Sequence, residues 1–151
     1  MKKVSLLAVF TFLAINVFAQ SEGDAIIGIW MNDEGTARVQ IYKTKEGKYN
    51  GRIVWLKEPN DPETGQPKLD KKNPNEAMRN KPVKGLVNLI NLEYKGSKKW
   101  GGDDARIYDP KSGNTYTCDA TMTNESTLEL KGKIPGTGIG RTATWTKQVK
   151  K

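Results

Sequence analysis

The sequence predicts an all-β domain: an antiparallel up-and-down meander barrel of about eight strands, with one long proline-rich loop and a short helix. Three observations predict it. Short segments with strand-like alternation recur along the chain, and turn residues separate them at hairpin spacing. Gly28-Ile29-Trp30 opens this pattern and Gly140-Arg141-Thr142-Ala143-Thr144-Trp145 closes it, as expected of first and last strands that meet. A closed meander also removes the exposed edges that an open sheet of this length would present.

The segments follow in order at 27–31, 38–42, 49–56, 85–92, 99–108, 114–122, 127–133 and 141–147. Ala37, Val39 and Ile41 share one face, as do Tyr116, Cys118, Ala120 and Met122, and Leu128 with Leu130. A period of two turns these sets inward. The opposite faces carry Thr115, Thr117, Asp119 and Thr121, or Thr142, Thr144 and Thr146, which suit a pleated, water-facing surface. Between the segments lie Asp33-Glu34-Gly35, Lys45-Glu46-Gly47, Asp109 to Asn114, Thr123 to Ser126 and Pro135 to Gly138, all of hairpin length.

One stretch breaks this rhythm. Residues 57–82 hold five of the seven prolines, Pro59, Pro62, Pro67, Pro74 and Pro82, with a helix-compatible run only at 75–80. A structureless loop of that length in a compact domain reads either as a lid over a binding site or as a plug across one barrel mouth.

Lys2 and Lys3 followed by an apolar run from Val4 to Ala14, resumed at Val17, read as a secretory signal, with cleavage expected after Ala19. Residues 20–151 then form one β-barrel domain, exported to the periplasm or secreted, without a membrane span. The two leader lysines leave with the signal, so 23 of the 25 basic residues remain against 17 acidic ones, a balance of +6. That charge is dispersed among acids, which argues for a solvated surface and against a nucleic-acid footprint.

The chain contains no histidine and a single cysteine, Cys118. Zinc chemistry and a His-activated nucleophile lose their usual residues, an internal disulfide is impossible, and no cofactor or metal site is expected. All three phenylalanines lie in the leader, so every aromatic of the mature domain is Trp or Tyr and carries a polar handle. Tyr49, Ile53, Trp55, Trp100 and Tyr116 are the candidate cavity lining, with Arg79 at the entrance. Asp70 and Arg79 read as an ion pair pinning the long loop, or as contacts to a ligand's polar group. Paired carboxylates for glycan hydrolysis would have to come from Asp61, Glu63, Asp70, Asp103, Asp104 and Asp109, which sequence alone does not rank.

The run Asp70-Lys71-Lys72-Asn73-Pro74 and then 78–86 resembles an exported bacterial family, domain of unknown function 2147. Further blocks agree in order: Gly28-Ile29-Trp30, 51–56, Trp100-Gly101-Gly102, 107–118 and 140–146. The resemblance spans essentially the whole mature domain and implies an exported, calycin-like barrel with no established activity. One departure is 133–139, where the family leads to the expectation of a larger apolar or aromatic residue before Gly140-Arg141. A looser similarity is to lipocalins, in which Gly-x-Trp begins the barrel and a late arginine packs over that tryptophan. It implies that Arg141 covers Trp30 and closes the barrel.

These readings converge on an exported, non-enzymatic barrel that binds a small amphiphilic or apolar molecule. A packed envelope interaction module without a ligand, and a glycan or cell-wall hydrolase, are the alternatives.

Overall fold

The computed structural model describes residues 22–149, so the leader and its cleavage site lie outside the described residues. Nine strands form one antiparallel sheet: β1 (Gly28–Met31), β2 (Ala37–Lys43), β3 (Tyr49–Leu56), β4 (Val87–Gly96), β5 (Lys99–Gly101), β6 (Arg106–Asp109), β7 (Asn114–Asn124), β8 (Thr127–Lys133) and β9 (Gly140–Gln148). The sheet runs β3-β2-β1-β9-β8-β7 and then through β5 and β6 to β4, which pairs back onto β3. The ring is closed. β5 and β6 each pair with β4 on one side and β7 on the other, so they share a single place and the barrel has eight positions.

The 99–108 segment expected as one strand is thus two, divided where the backbone turns and Ala105 N–H bonds the Gly102 carbonyl. β4 also runs four residues beyond its expected end. It leads into a two-residue turn, Ser97-Lys98, with both residues at positive φ, the geometry that matches strand twist in a tight hairpin.

The alternation read from sequence sets the core. Val39, Ile41, Cys118, Ala120, Met122, Leu128 and Leu130 are all buried, while Thr142, Thr144 and Thr146 face water. The Cys118 thiol is pushed up to about 12, first by burial and then by the neighbouring Asp119, so it remains protonated and serves as an apolar filler. Gly51 marks a tight point inside the barrel: a Cβ there would come within 2.8 Å of Val39 Cγ1 and 3.0 Å of Leu89 Cβ.

One end of the ring is sealed by the segment that precedes β1. Its 3-10 turn, Asp24–Ile26, places Ile26 in the core, and the carbonyl of Ile26 accepts the Trp30 indole N–H at 2.9 Å. Trp100 donates its indole N–H to the Gly23 carbonyl, and the Tyr49 hydroxyl donates to Asp24 Oδ1 at 2.8 Å. Tyr94 stacks at a tilt on Trp100, with ring centroids 5.3 Å apart. Burial raises the pKa of Asp24, but hydrogen bonds from Lys43 and Tyr49 outweigh it and the carboxyl is held below its usual value.

The first and last strands meet as expected, with Trp30 paired to Lys147 across the β1–β9 seam. The cation over Trp30, however, is not Arg141. Lys147 Nζ lies 5.2 Å from the indole centroid and donates to the Ala25 carbonyl, whereas Arg141 sits opposite Gly132 and pairs with Asp33. The reason is register: Arg141 enters at the start of β9, and Trp30 aligns with its end.

Replacing Trp30 with Ala is expected to cost about 3–5 kcal/mol through the cavity it opens. Arg141→Ala is expected to cost no more than about 1 kcal/mol, because its ion pair is solvent-exposed. Urea midpoints of the two variants check this, and a large loss in Arg141→Ala would restore the arginine to the seam.

Candidate functional site

The other end of the barrel is open. A cavity of about 840 Å³ enters there, within the range usual for small-molecule sites. Inward positions of several strands build its wall, Ala37 and Val39 on β2, Ile53 and Leu56 on β3, Ile107 on β6, Tyr116 on β7, Leu130 on β8, and Ala143 and Trp145 on β9, while Asn88 of β4 and Tyr108 of β6 border it. Several of these, including Leu56, Ile107, Tyr116 and Ala143, point inward yet keep part of their surface open. The interior below them is filled; the interior beside them is not.

Of the residues expected from sequence to line such a space, Ile53 and Tyr116 do so. Tyr49 and Trp100 do not, because both belong to the sealed end, where their polar tips bind Asp24 and Gly23. Trp55 was expected on the face of Ile53, but a bulge intervenes: Arg38 pairs with Trp55 and Val39 with Ile53, leaving Val54 as the extra residue. The bulge sends Trp55 outward and Leu56 inward. On the outer face Arg38 lies 4.8 Å from the Trp55 ring centroid.

The long loop is ordered by local pairing. Asn60 bridges Pro67 and Leu69 bridges Pro82, and residues Glu76–Met78 form the expected short helix as a single 3-10 turn. The expected Asp70–Arg79 ion pair does not form. Asp70 is fully buried and accepts the Tyr108 hydroxyl and Asn73 Nδ2, each at 2.7 Å. Arg79 instead donates to the Asn73 carbonyl and reaches Glu76, away from the cavity. Asp70 is carried under the loop against β6 while Arg79 stays exposed beside Glu76, so the two do not meet. The loop is therefore pinned to β6 through Asp70, and again at the β6–β7 turn. Gly113 there, at φ +80°, sits so close to Lys72 that a Cβ would meet its carbonyl oxygen at 2.3 Å.

So fixed, the loop contributes Lys57, Glu58, Asp61, Lys68, Leu69 and Lys71 to one side of the mouth. The rest of the rim comes from the β1–β2, β6–β7 and β8–β9 turns. Its charges are largely paired, as Asp33 with Arg141, Glu34 with Lys111, Glu58 with Lys68 and Asp61 with Lys71. Backbone N–H of Glu63, and then Lys71, hold the Asp61 carboxyl below its usual range. In the ring of eight positions the β1–β2 and β6–β7 hairpins are diametrically opposed, so Glu34–Lys111 spans the mouth. Between these charges stand Leu69, Ile134 and Ile139, three of the few large apolar side chains left exposed.

A model of the family described as "Uncharacterized protein conserved in bacteria (DUF2147)" matches residues 28–147. The chain belongs to this family. The solved structure of protein HP1028 from Helicobacter pylori, described as belonging to the lipocalin family, is similar at 26% identity over 82% of this chain and 83% of that one, with a TM-score of 0.68. No curated protein matches the chain. This DUF2147 domain thus has a lipocalin-like barrel, and the fold and family expected from its residues both stand. Among its described residues no helix is long and apolar enough to cross a membrane.

Cutting the loop's anchor is expected to free it before the barrel unfolds. Asp70→Ala leaves the Tyr108 hydroxyl without its acceptor, and limited trypsin digestion should then nick residues 57–82 far faster than in the parent protein. Equal nicking rates would place the anchor elsewhere.

The same hydrogen bond gives a pH dependence. Burial and then the bond to Asp70 hold the Tyr108 phenol protonated well above its ordinary value, as burial and Asp24 do for Tyr49. Stability from these groups is complete below the unfolded tyrosine value of about 10 and declines as pH rises past it. Ultraviolet difference absorbance should show two phenols ionising only as the protein unfolds, and Tyr108→Phe should remove one of them.

Proposed function

We propose that this protein is an exported carrier of a small, largely apolar or amphiphilic molecule, acting by sequestration rather than catalysis. The observation that carries this reading is the cavity: about 840 Å³, apolar in its walls and open to solvent at one charged mouth. Withdrawing roughly 300 Å² of apolar ligand surface from water there would contribute about 7 kcal/mol before the cost of ordering the ligand. The lipocalin-like architecture fits the same use, and the leader pattern of residues 1–19 supports export.

An unfilled interior favours binding over a packed interaction module. Hydrolysis by paired carboxylates draws no support from the rim, where Asp61 is engaged by Lys71 and Asp70 lies buried against Tyr108.

Native mass spectrometry of protein recovered from its own envelope should show an added mass that denaturation releases, on a chain beginning at Gln20. Because Trp145 lines the cavity, binding should also shift tryptophan emission. Ala143→Phe fills the space from β9 and is expected to weaken binding at least about tenfold with the fold intact, since overpacking into an open cavity carries little strain. Absence of any bound mass, together with unchanged emission across lipids and glycans, would remove the carrier reading.

A further inference from the structure

Trp145 points to the chemistry of the ligand. Three buried tryptophans turn into the barrel, and two of them give the indole N–H to a backbone carbonyl, Trp30 to Ile26 and Trp100 to Gly23. Trp145 has no acceptor among the described residues. It stands opposite Leu128 on the inward face of β9, is 4% exposed, and forms part of the cavity wall. Its Nε1 is not sealed from solvent as the unpartnered Arg38 Nε and Asn88 Oδ1 are, and in a side chain so buried the accessible part lies toward the cavity. The donor is within reach of whatever fills that space.

Depth separates this donor from the charges. Arg141 stands at the mouth near the start of β9, Ala143 and Trp145 follow on the same face, and four residues of extended strand set Trp145 roughly 13 Å beyond Arg141. Other inward side chains of the wall, such as Val39, Ile53, Leu130 and Ala143, offer the N–H nothing.

We propose that the Trp145 indole N–H is the recognition point for the bound molecule's polar group. The cavity takes a mostly apolar molecule with one uncharged oxygen acceptor, a ketone, ester or amide carbonyl, which enters first and accepts this N–H. This inference rests on the carrier reading above and narrows it. The acceptor is uncharged because the ionised side chains at the cavity all stand at its mouth, and a carboxylate drawn in to Trp145 would exchange its hydration for a single neutral dipole. The donor also confers selectivity. A carbonyl gives the N–H the acceptor that the protein withholds, whereas a hydrocarbon in the same place shuts out water and leaves the donor unpaired.

The test is displacement of 1,6-diphenylhexatriene, a hydrocarbon dye, by 2-decanone and 2-methyl-1-decene, which share one shape and differ only in C=O against C=CH2. Water itself prefers the ketone, so the comparison is made between proteins. Trp145→Phe keeps an aromatic ring without the N–H and should weaken the ketone about tenfold more than the alkene. In the parent protein the Trp145 indole proton resonance should move downfield as 2-decanone binds, and neither 2-methyl-1-decene nor decanoate should produce that shift. The resonance is read without any substitution, so the result stands even if the variant does not fold. Displacement by the alkene alone, equal weakening of both molecules in Trp145→Phe, or a resonance unmoved by bound ketone would overturn the inference while leaving the carrier reading in place. The same downfield shift with decanoate would overturn it too, by admitting a charged group. Failure of the parent protein to bind the dye or any competitor would remove the carrier reading and this inference with it.

Discussion

Closure of the ring at the β1–β9 seam is the constraint on which the cavity depends. All strand pairs but one lie between neighbours in the chain or across the short β5–β6 break, and they would form equally in an open sheet. The β1–β9 pairing makes a tube. There, Trp30 lies beneath Lys147, whose ammonium is also held by the Ala25 carbonyl. A shielded cation on an indole contributes on the order of 1 kcal/mol or more, and the fully buried Trp30 adds its apolar area to the core. With the edges gone, the interior becomes a bounded space that must be filled or left open.

The two ends of that space are treated differently. At the sealed end, large aromatics find backbone and carboxylate partners in the short segment before β1, so their polar tips are satisfied and their bodies fill the bore. Toward the mouth the inward side chains stand apart, and no other described residue enters between them. The long loop is anchored outside this space, through Asp70 to β6 and through Lys72 against Gly113, and acts as one side of the rim. A mouth held on one side by an ordered loop and crossed by the Glu34–Lys111 pair restricts entry while leaving the wall behind it open. Exchange of a ligand through that mouth would therefore respond to ionic strength, since the pair is exposed and screened by salt.

What the site was expected to contain and what it contains differ for physical reasons that can be named. Trp55 shares the parity of Ile53, and parity assigns a face only while pairing stays in register; the extra residue at Val54 reverses it. Tyr49 and Trp100 do point inward, as alternation requires, but depth along the barrel decides whether an inward residue meets packing or space, and alternation carries no depth. Asp70 and Arg79 were matched by charge and spacing, while the fold offered the buried Asp70 the Tyr108 phenol instead.

The sequence by itself determined the class of fold, the strand sequence and most core faces, because these follow from local alternation and turn chemistry acting over a few residues. It also carried the family, through ordered blocks that span the domain. Only the tertiary structure decided which residue covers Trp30, where the bore is filled and where it is empty, and how the proline-rich loop is fastened. Those outcomes depend on register between strands remote in the chain and on the balance of side-chain volume around a closed ring, quantities that no single segment encodes.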